Sequence, residues 1–332
     1  AIRHATEFCR SNDVDVIHLM NTSSITLAAP LRACTHTLVT AHLNSPLPFC
    51  PKGDRIRHGK PCTIVCTWNE FVPCLRSSKG VGKMRNGWWI RDNPLVWSLL
   101  FRRFITYQRS SRAVHAWVAI GSGLVALLEL HGVRDTIMLL PNPMDMDALS
   151  ALTLPSPHAP LRVGFIGALT EFKGVRVLLE AVRGLPVELH VAGEGPLAAW
   201  IAAAGVPVHM YGRVANDAVP SFYAAVDIVV VPSLWPEAFG RVAVEAMAAG
   251  RPVIASDNGG LRDIIHGCKG SVLVPTGDAV ALRRAIESYV RKPHLCSTHG
   301  ALSRLHVQSR YKPKDIARAF ARFFEHVSQV PH

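Results

Sequence analysis

Apolar residues in this 332-residue chain gather in short, nearly unbroken runs separated by Gly, Pro, Asn and Asp. Unbroken runs of that length suit parallel strands buried on both faces better than the alternating strands of half-exposed sheets. The first half holds three such runs, Ile17–Met20, Thr37–Ala41 and Trp117–Ile120, with Thr136–Leu140 read as the start of an exit. The second half holds five: Leu161–Gly167, Val187–Gly193, Val208–Gly212, Asp227–Val231 and Pro252–Ser256. Helical patterns such as Val175–Val182 and Val242–Ala249 fall between them. Strands alternating with helices predict an α/β protein with a doubly wound parallel sheet in each half. Crossovers in such sheets are right-handed, so the loops that follow the strands open on one edge, where ligands bind.

A Pro-, Asp- and Ser-rich stretch from Asn142 to Pro160 marks the boundary. The expected domains are residues 1–143 and 161–310, joined by a linker at 144–160. Residues 311–332 form a terminal segment whose helix, Pro313–Val330, places Ile316, Phe320, Phe323 and Phe324 on one face.

The second half concentrates the chemistry. Glu237 lies in the loop after the strand Asp227–Val231, and Gly259-Gly260 lie in the loop after Pro252–Ser256. Each precedes a helix N-terminus, where free N–H groups and partial positive charge favour anions. Glu245 sits on a helix made largely of Ala, Val and Met. An ionised carboxylate in such a setting needs donors. Ligand hydroxyls would serve, and the alternative is an exposed ion pair with Arg241, four residues earlier.

These residues carry a family resemblance. The run Pro-Glu237-Ala-Phe-Gly240, four residues, Glu245-Ala-Met-Ala, then Gly250, Pro252-Val-Ile-Ala and Gly259-Gly260 resembles the Glu-x7-Glu signature of retaining nucleotide-sugar glycosyltransferases of family 4. The similarity is strongest from Leu161 to Ala285. It implies a GT-B fold, two Rossmann-like domains facing across a cleft, with the last helix returning to the first domain. Relatives usually begin with a strand and a Gly-rich turn. This chain opens inside an element without Met, so the expectation is an N-terminally truncated first domain.

The resemblance also implies roles. Gly167 and Lys173 belong to a loop whose cations hold the donor diphosphate, although Ala168 stands where many members have Arg. Gly193, Arg213 and Val214 border the nucleotide, with backbone groups near the base. Glu245 binds the ribose, while Glu237 and the backbone of Ala238, Phe239 and Gly240 face the sugar, together with Gly259 and Gly260. His42, read as ending its strand, touches sugar or acceptor, or is a structural loop residue. The implied activity is hexosyl transfer with retention from a nucleoside diphosphate sugar to a hydroxyl acceptor, glycan or lipid-linked saccharide, of the kind used in cell-surface polysaccharide synthesis. No resident cofactor or dissociable metal is required. Two alternatives remain open at this stage: a GT-B sugar-nucleotide epimerase, and an inactive nucleotide-sugar-binding or membrane-docking module.

Charge adds a second theme. The net charge is +12, and between Lys52 and Arg112 there are 13 Lys and Arg against 3 Asp and Glu. Trp88, Trp89, Trp97, Phe101 and Phe104 share that segment, and Pro94–Tyr107 reads as an amphipathic helix with Arg102 and Arg103. The mixture fits an anionic membrane interface or an ordinary helix with a solvated basic side. No nucleic-acid-reading motif accompanies it, so nucleic acid is not an expected partner. No apolar stretch reaches the roughly 18 residues of a membrane span, and the expected location is the cytoplasm, with peripheral attachment at the inner membrane face as an extension.

Eight cysteines without a recognisable leader read as thiols or metal ligands. Cys50, Cys62, Cys66 and Cys74 cluster in sequence with a spacing unlike a standard zinc ribbon, leaving structural zinc and reduced thiols both open. Gly121-Ser-Gly mimics a dinucleotide fingerprint, but Pro141-Asn142 stands where the acidic ribose ligand belongs. Asp13-Val-Asp15 and Asp145-Met-Asp147 mimic a metal-binding Asp-x-Asp without the placement to hold a nucleotide's metal.

Overall fold

The computed structural model describes residues 2–34, 36–50, 56–57, 60–76, 93–133 and 136–329. Its strands are β1 (Val16–Leu19), β2 (Leu38–Leu43), β3 (Ile56–Arg57), β4 (Lys60–Pro61), β5 (Ala116–Ala119), β6 (Thr136–Leu139), β7 (Leu161–Ile166), β8 (Val187–Ala192), β9 (Val208–Gly212), β10 (Ile228–Val231), β11 (Val253–Ser256) and β12 (Val272–Val274). The chain divides into two compact units, Ala1–Asn142 with Ile316–His332, and Pro143–Asp315.

The first unit is built on a parallel sheet of order β1-β2-β5-β6, with the two-residue pair β3-β4 apart from it. β6 is therefore a full edge strand, paired from Thr136 to Leu139 with β5, rather than the start of an exit. Strand alternation puts Val39, Ala41, Leu43 and Trp117 on one face and His18, Thr40, His42, Ala116 and Val118 on the other. The second face is covered by the helix Pro313–Gln329, whose Ile316, Phe323 and Val327 pack with Ala116, Val118 and Leu140. Phe320 and Phe324 stand edge-on to the His18 ring at 5.1 and 5.3 Å between centroids. The helix Pro94–Ser111 starts at Asn93, whose side chain accepts the Leu95 N–H at 3.0 Å, with Pro94 in the first turn where its missing N–H costs nothing. It buries Trp97 against Phe71 and Leu75.

Burial, followed by the nearby His42, lowers the His18 pKa from 6.5 to about 4. Its Nδ1 lies 2.8 Å from the Thr40 hydroxyl, and its Nε2 is buried with no hydrogen-bond partner among the described residues. Between those two values the unfolded chain binds the proton that the folded chain refuses, so this contribution is complete above pH 6.5 and lost as pH falls to about 4. Urea unfolding between pH 7 and 4.5 is expected to show a steeper loss for the parent than for His18→Leu. Parallel pH profiles for the two proteins would remove His18 from the acid response.

The second unit carries a six-stranded parallel sheet of order β12-β11-β10-β7-β8-β9. Asp227, 1% exposed, precedes β10 and accepts from the Arg162 backbone N–H at 2.8 Å and from its guanidinium at 3.1 and 2.5 Å. A buried carboxylate with that many donors is compensated. The expected linker is partly ordered by the same unit. Residues Asp147–Ser150 form a short helix, and the carbonyls of Leu152 and Thr153 accept from Arg304 at 2.6 Å and Arg251 at 2.8 Å. Arg251, 2% exposed, also bonds the Tyr223 and Ala249 carbonyls. Burial, then the charge of Arg304, lowers its pKa to about 10.

Candidate active site

Strand order in the second sheet reverses between β7 and β10. The chain leaves β7 toward β8 on one side and returns to place β10 on the other, so the loops after β7 and β10 flank the topological switch point at the strand ends. That is where open α/β sheets bind ligands. The two loops are residues 167–174 and 232–240, and a third, 257–258, follows β11.

Specific bonds hold the three loops together. The Leu234 N–H donates to the Phe172 carbonyl at 2.8 Å, joining the first loop to the second. Asn258 Nδ2 donates to the Ser233 carbonyl at 2.7 Å, and the Gly260 N–H donates to the Glu237 carbonyl at 2.7 Å, joining the third to the second. The glycines are dictated by these approaches. Gly174 has φ +71°, and a Cβ there would fall onto the Pro232 carbonyl oxygen. At Gly260 a Cβ would meet the Phe239 carbonyl oxygen.

Polar side chains converge on this frame. Lys173 Nζ donates to Glu237 Oε1 at 2.6 Å, and the Ser233 hydroxyl donates to the same oxygen at 2.6 Å. The Lys173 side chain is 31% exposed and Glu237 14%, so the pair sits at a mouth, desolvated on one side and open on the other. Helices Val175–Val182 and Arg241–Ala248 begin directly after the two loops, capped by Gly174 and Gly240 in left-handed geometry. Their free N–H groups add positive potential beside the Lys173 ammonium. The Trp235 Nε1 and the Asn258 Oδ1, on the same loops, are buried without hydrogen-bond partners among the described residues.

Glu245 is buried, as its sequence context suggests, and both of its oxygens have donors within the protein. Arg241 Nε reaches Oε1 at 2.6 Å, and the Tyr223 hydroxyl reaches Oε2 at 3.1 Å. The pair with Arg241 that competed with a binding role in the sequence reading thus forms, but not as a surface pair: the Glu245 side chain is 12% exposed against 71% for Arg241. Burial, then the charge of Glu245 and its hydrogen bond, raise the Tyr223 pKa well above 10, keeping the phenol a donor.

The other expected residues fall as follows. Gly167 and Gly193 lie at the ends of β7 and β8 and approach each other closely, the Gly193 position leaving no room for a Cβ beside the Gly167 carbonyl. Arg213 and Val214 follow β9, Arg213 exposed and Val214 half-buried. Ala238, Phe239 and Gly240 lead into the helix at Arg241, and Phe239 packs edge-on to Tyr311 at 5.8 Å.

His42 belongs to the first unit and is not beyond its strand: β2 runs to Leu43. Its ring is 5% exposed, stacked with Phe320 at 6.1 Å, and neither nitrogen has a partner among the described residues. The reason is register, since His42 opposes Val118 on the face that the terminal helix covers. The cysteines Cys50, Cys62, Cys66 and Cys74 share a neighbourhood in which burial, then the other three thiols and Glu70, raise Cys66 to about 12. Among the described residues they do not form a set of three within ligand reach of one another. Trp88 and Trp89 lie outside the described residues, as does most of the basic segment between Arg76 and Asn93.

Ser233, Asn258 and Tyr223 were not assigned roles from sequence. Ser233 had a usable signal, a hydroxyl four residues before Glu237 at the end of a buried strand. Tyr223 had none, because only the tertiary fold brings its hydroxyl to Glu245.

Two parallel-sheet α/β units, one with its polar loops bound together at a switch point, define a GT-B glycosyltransferase fold. Residues 160–292 match the family described as Glycosyl transferases group 1. It is 29% identical to a phosphatidyl-myo-inositol mannosyltransferase of Mycobacterium leprae, over 62% of this chain and 58% of the relative. Among solved structures it resembles sucrose-phosphate synthase from Thermosynechococcus elongatus (TM-score 0.70, 21% identity, 98% of this chain and 77% of the other). It also resembles Anabaena HepE in complex with UDP (TM-score 0.70, 19% identity, 98% and 82%). The chain spans about half the length of the curated relatives it matches. Among the described residues no helix is long and apolar enough to cross a membrane.

Proposed function

We propose that the chain is the catalytic body of a retaining, family-4-type glycosyltransferase that moves a hexose from a nucleoside diphosphate sugar to a hydroxyl acceptor. The observation that carries this reading is the convergence of Lys173, Glu237 and Ser233 at the switch point beside two helix N-termini. In the reaction, the bond between the anomeric carbon and the diphosphate oxygen breaks while the acceptor oxygen bonds that carbon from the same face. The acceptor proton passes to the departing diphosphate. Lys173 and the helix ends stabilise charge that grows on the diphosphate, a type of interaction worth several kcal/mol when preorganised. The reading needs no resident cofactor, because these fixed groups supply the positive charge.

In this reading Glu237 exchanges part of its bond with Lys173 for a sugar hydroxyl, and Glu245 accepts the ribose hydroxyls while Tyr223 and Arg241 hold its orientation. The relatives named as glycosyltransferases favour transfer over the epimerase and binding-module alternatives. UDP is the first nucleotide to test, since HepE was solved with it. Calorimetry with UDP and other nucleoside diphosphates is expected to show Glu245→Gln weakened by about 1.5–3 kcal/mol, the worth of a hydrogen bond to a charged group. Glu237→Gln is expected to bind nucleotide like the parent and to lose turnover. Parental nucleotide affinity in Glu245→Gln would falsify the donor-site assignment.

The acceptor side is read from charge. Leu95 and Leu99, 75% and 65% exposed, share the outer face of the helix Pro94–Ser111 with Arg102, Arg103 and Arg109. With the basic segment before it, this face supports docking on an anionic membrane that presents a lipid-linked acceptor. Co-sedimentation with anionic vesicles is expected to exceed that with neutral vesicles and to fall with salt, because exposed charges are screened over about 10 Å at 0.1 M. Equal binding to both vesicle types argues against it.

A further inference from the structure

Away from the switch-point loops, Glu188 and His190 occupy alternate positions of β8, and His209 stands opposite His190 in the register with β9. Period-two alternation puts Glu188 and His190 on one face, and the pairing brings His209 beside them. The imidazoles stack at 4.8 Å between centroids. Glu188 Oε2 lies 3.9 Å from His190 Nε2 and 4.0 Å from His209 Nε2, and one ligand atom from each residue falls within 4.8 Å of the others. A tetrahedral zinc with bonds of about 2.0 Å holds its ligand atoms about 3.3 Å apart. Small side-chain rotations therefore close the set without moving backbone.

Two further features separate this trio from a chance surface cluster. His190 is 7% exposed, and its Nε2, turned toward Glu188, is buried with no hydrogen-bond partner among the described residues. An unsatisfied buried ring nitrogen is costly and calls for an explanation. Its other nitrogen, Nδ1, lies 2.8 Å from the Tyr211 hydroxyl. With the proton on Nδ1 and donated to that oxygen, the Nε2 lone pair is directed at the trio, the arrangement by which outer groups orient metal-binding histidines. Arg162, adjacent to Glu188 across the β7–β8 register, is already paired with Asp227.

We propose that Glu188, His190 and His209 form a divalent-cation site, suited to zinc, that clamps the edge strand β9 to β8. Two neutral imidazoles and one carboxylate leave a fourth position for water, open on the side where His209 is exposed. β9 ends the sheet, and its His209, Met210 and Tyr211 are all exposed. Such an edge gains from a cross-strand tie that fixes its register. The clamp is independent of the transfer chemistry: it lies within the body of β8, upstream of the Gly193 end where the ligand loops open.

The test is a zinc titration of the full chain after chelator treatment, by competition with a chromophoric chelator. His209→Ala, a change at an exposed side chain, is expected to bind one equivalent fewer than the parent while melting like it in the presence of chelator. Tyr211→Phe is expected to keep that equivalent with affinity reduced about 10- to 100-fold, the usual effect of losing an outer-shell partner. Cobalt substitution keeps the cysteines distinct. The parent-minus-His209→Ala spectrum should lack the near-ultraviolet charge-transfer band of thiolate ligands. Equal stoichiometry and affinity in parent and His209→Ala, or a thiolate band in the difference spectrum, overturns the site.

Discussion

Lys173→Ala is expected to lower nucleotide-sugar turnover by about 10²–10³-fold, the usual cost of removing one preorganised group from a developing oxyanion. Two effects act together. The diphosphate loses a cation at the switch-point mouth, and Glu237 loses the donor at 2.6 Å that balances its half-buried charge. Ala168 makes the dependence sharper, because the resembling family often places a second cation there. Lys173→Arg tests position against charge. Its planar fork is longer and reaches Glu237 differently, so it should recover only part of the rate. Single-turnover kinetics with saturating donor separates the step from binding. A Lys173→Ala protein that turns over within tenfold of the parent removes Lys173 from the diphosphate site.

Gly174→Ala is expected to destabilise the second unit by about 2–5 kcal/mol, combining left-handed strain with overpacking. The Cβ has nowhere to go: it would occupy the Pro232 carbonyl oxygen, on backbone that also supports Ser233 and Glu237. For a unit of this size each kcal/mol moves the melting temperature by about 2–4 °C, so a drop of roughly 4–20 °C is expected. Gly132→Ala is the control. It shares a positive φ of +78°, but among the described residues no atom lies within 4 Å of the added carbon. Calorimetric melting of both variants isolates the backbone approach from the strain, and similar losses would show that conformation alone sets the cost.

Much of this was legible in the chain. Strands β7, β8, β9, β10 and β11 fall within a residue or two of the apolar runs, because strands buried on both faces leave an unbroken signal. Glu237 was placed in the loop after β10 by the alternation of strand and helix, and Lys173 in the loop after β7 by the family resemblance. Their direct bond was not, since two residues 64 positions apart meet only through the β7–β10 pairing. The same holds for Tyr223 and Glu245, and for His190 and His209, whose neighbourhood depends on which strand ends the sheet. β6 differs from the expected exit because its burial is partial and it runs directly into Pro141, an edge-strand pattern that resembles a loop approach. His42 was misplaced by two residues of strand, enough to turn a loop residue into one packed beneath a helix.

The packing of Phe320 and Phe324 against His18, and of Phe320 against His42, sets an order of events during synthesis. The strands of the first unit are synthesised before residues 143–315, and the helix that shields one face of their sheet is synthesised after them. At about 5–20 residues per second, that face waits roughly 10–35 s for its cover. The second unit has all its own strands by then and can complete its sheet first. The nascent first unit meanwhile exposes the apolar and imidazole-lined face that holds His18, His42, Ala116 and Val118.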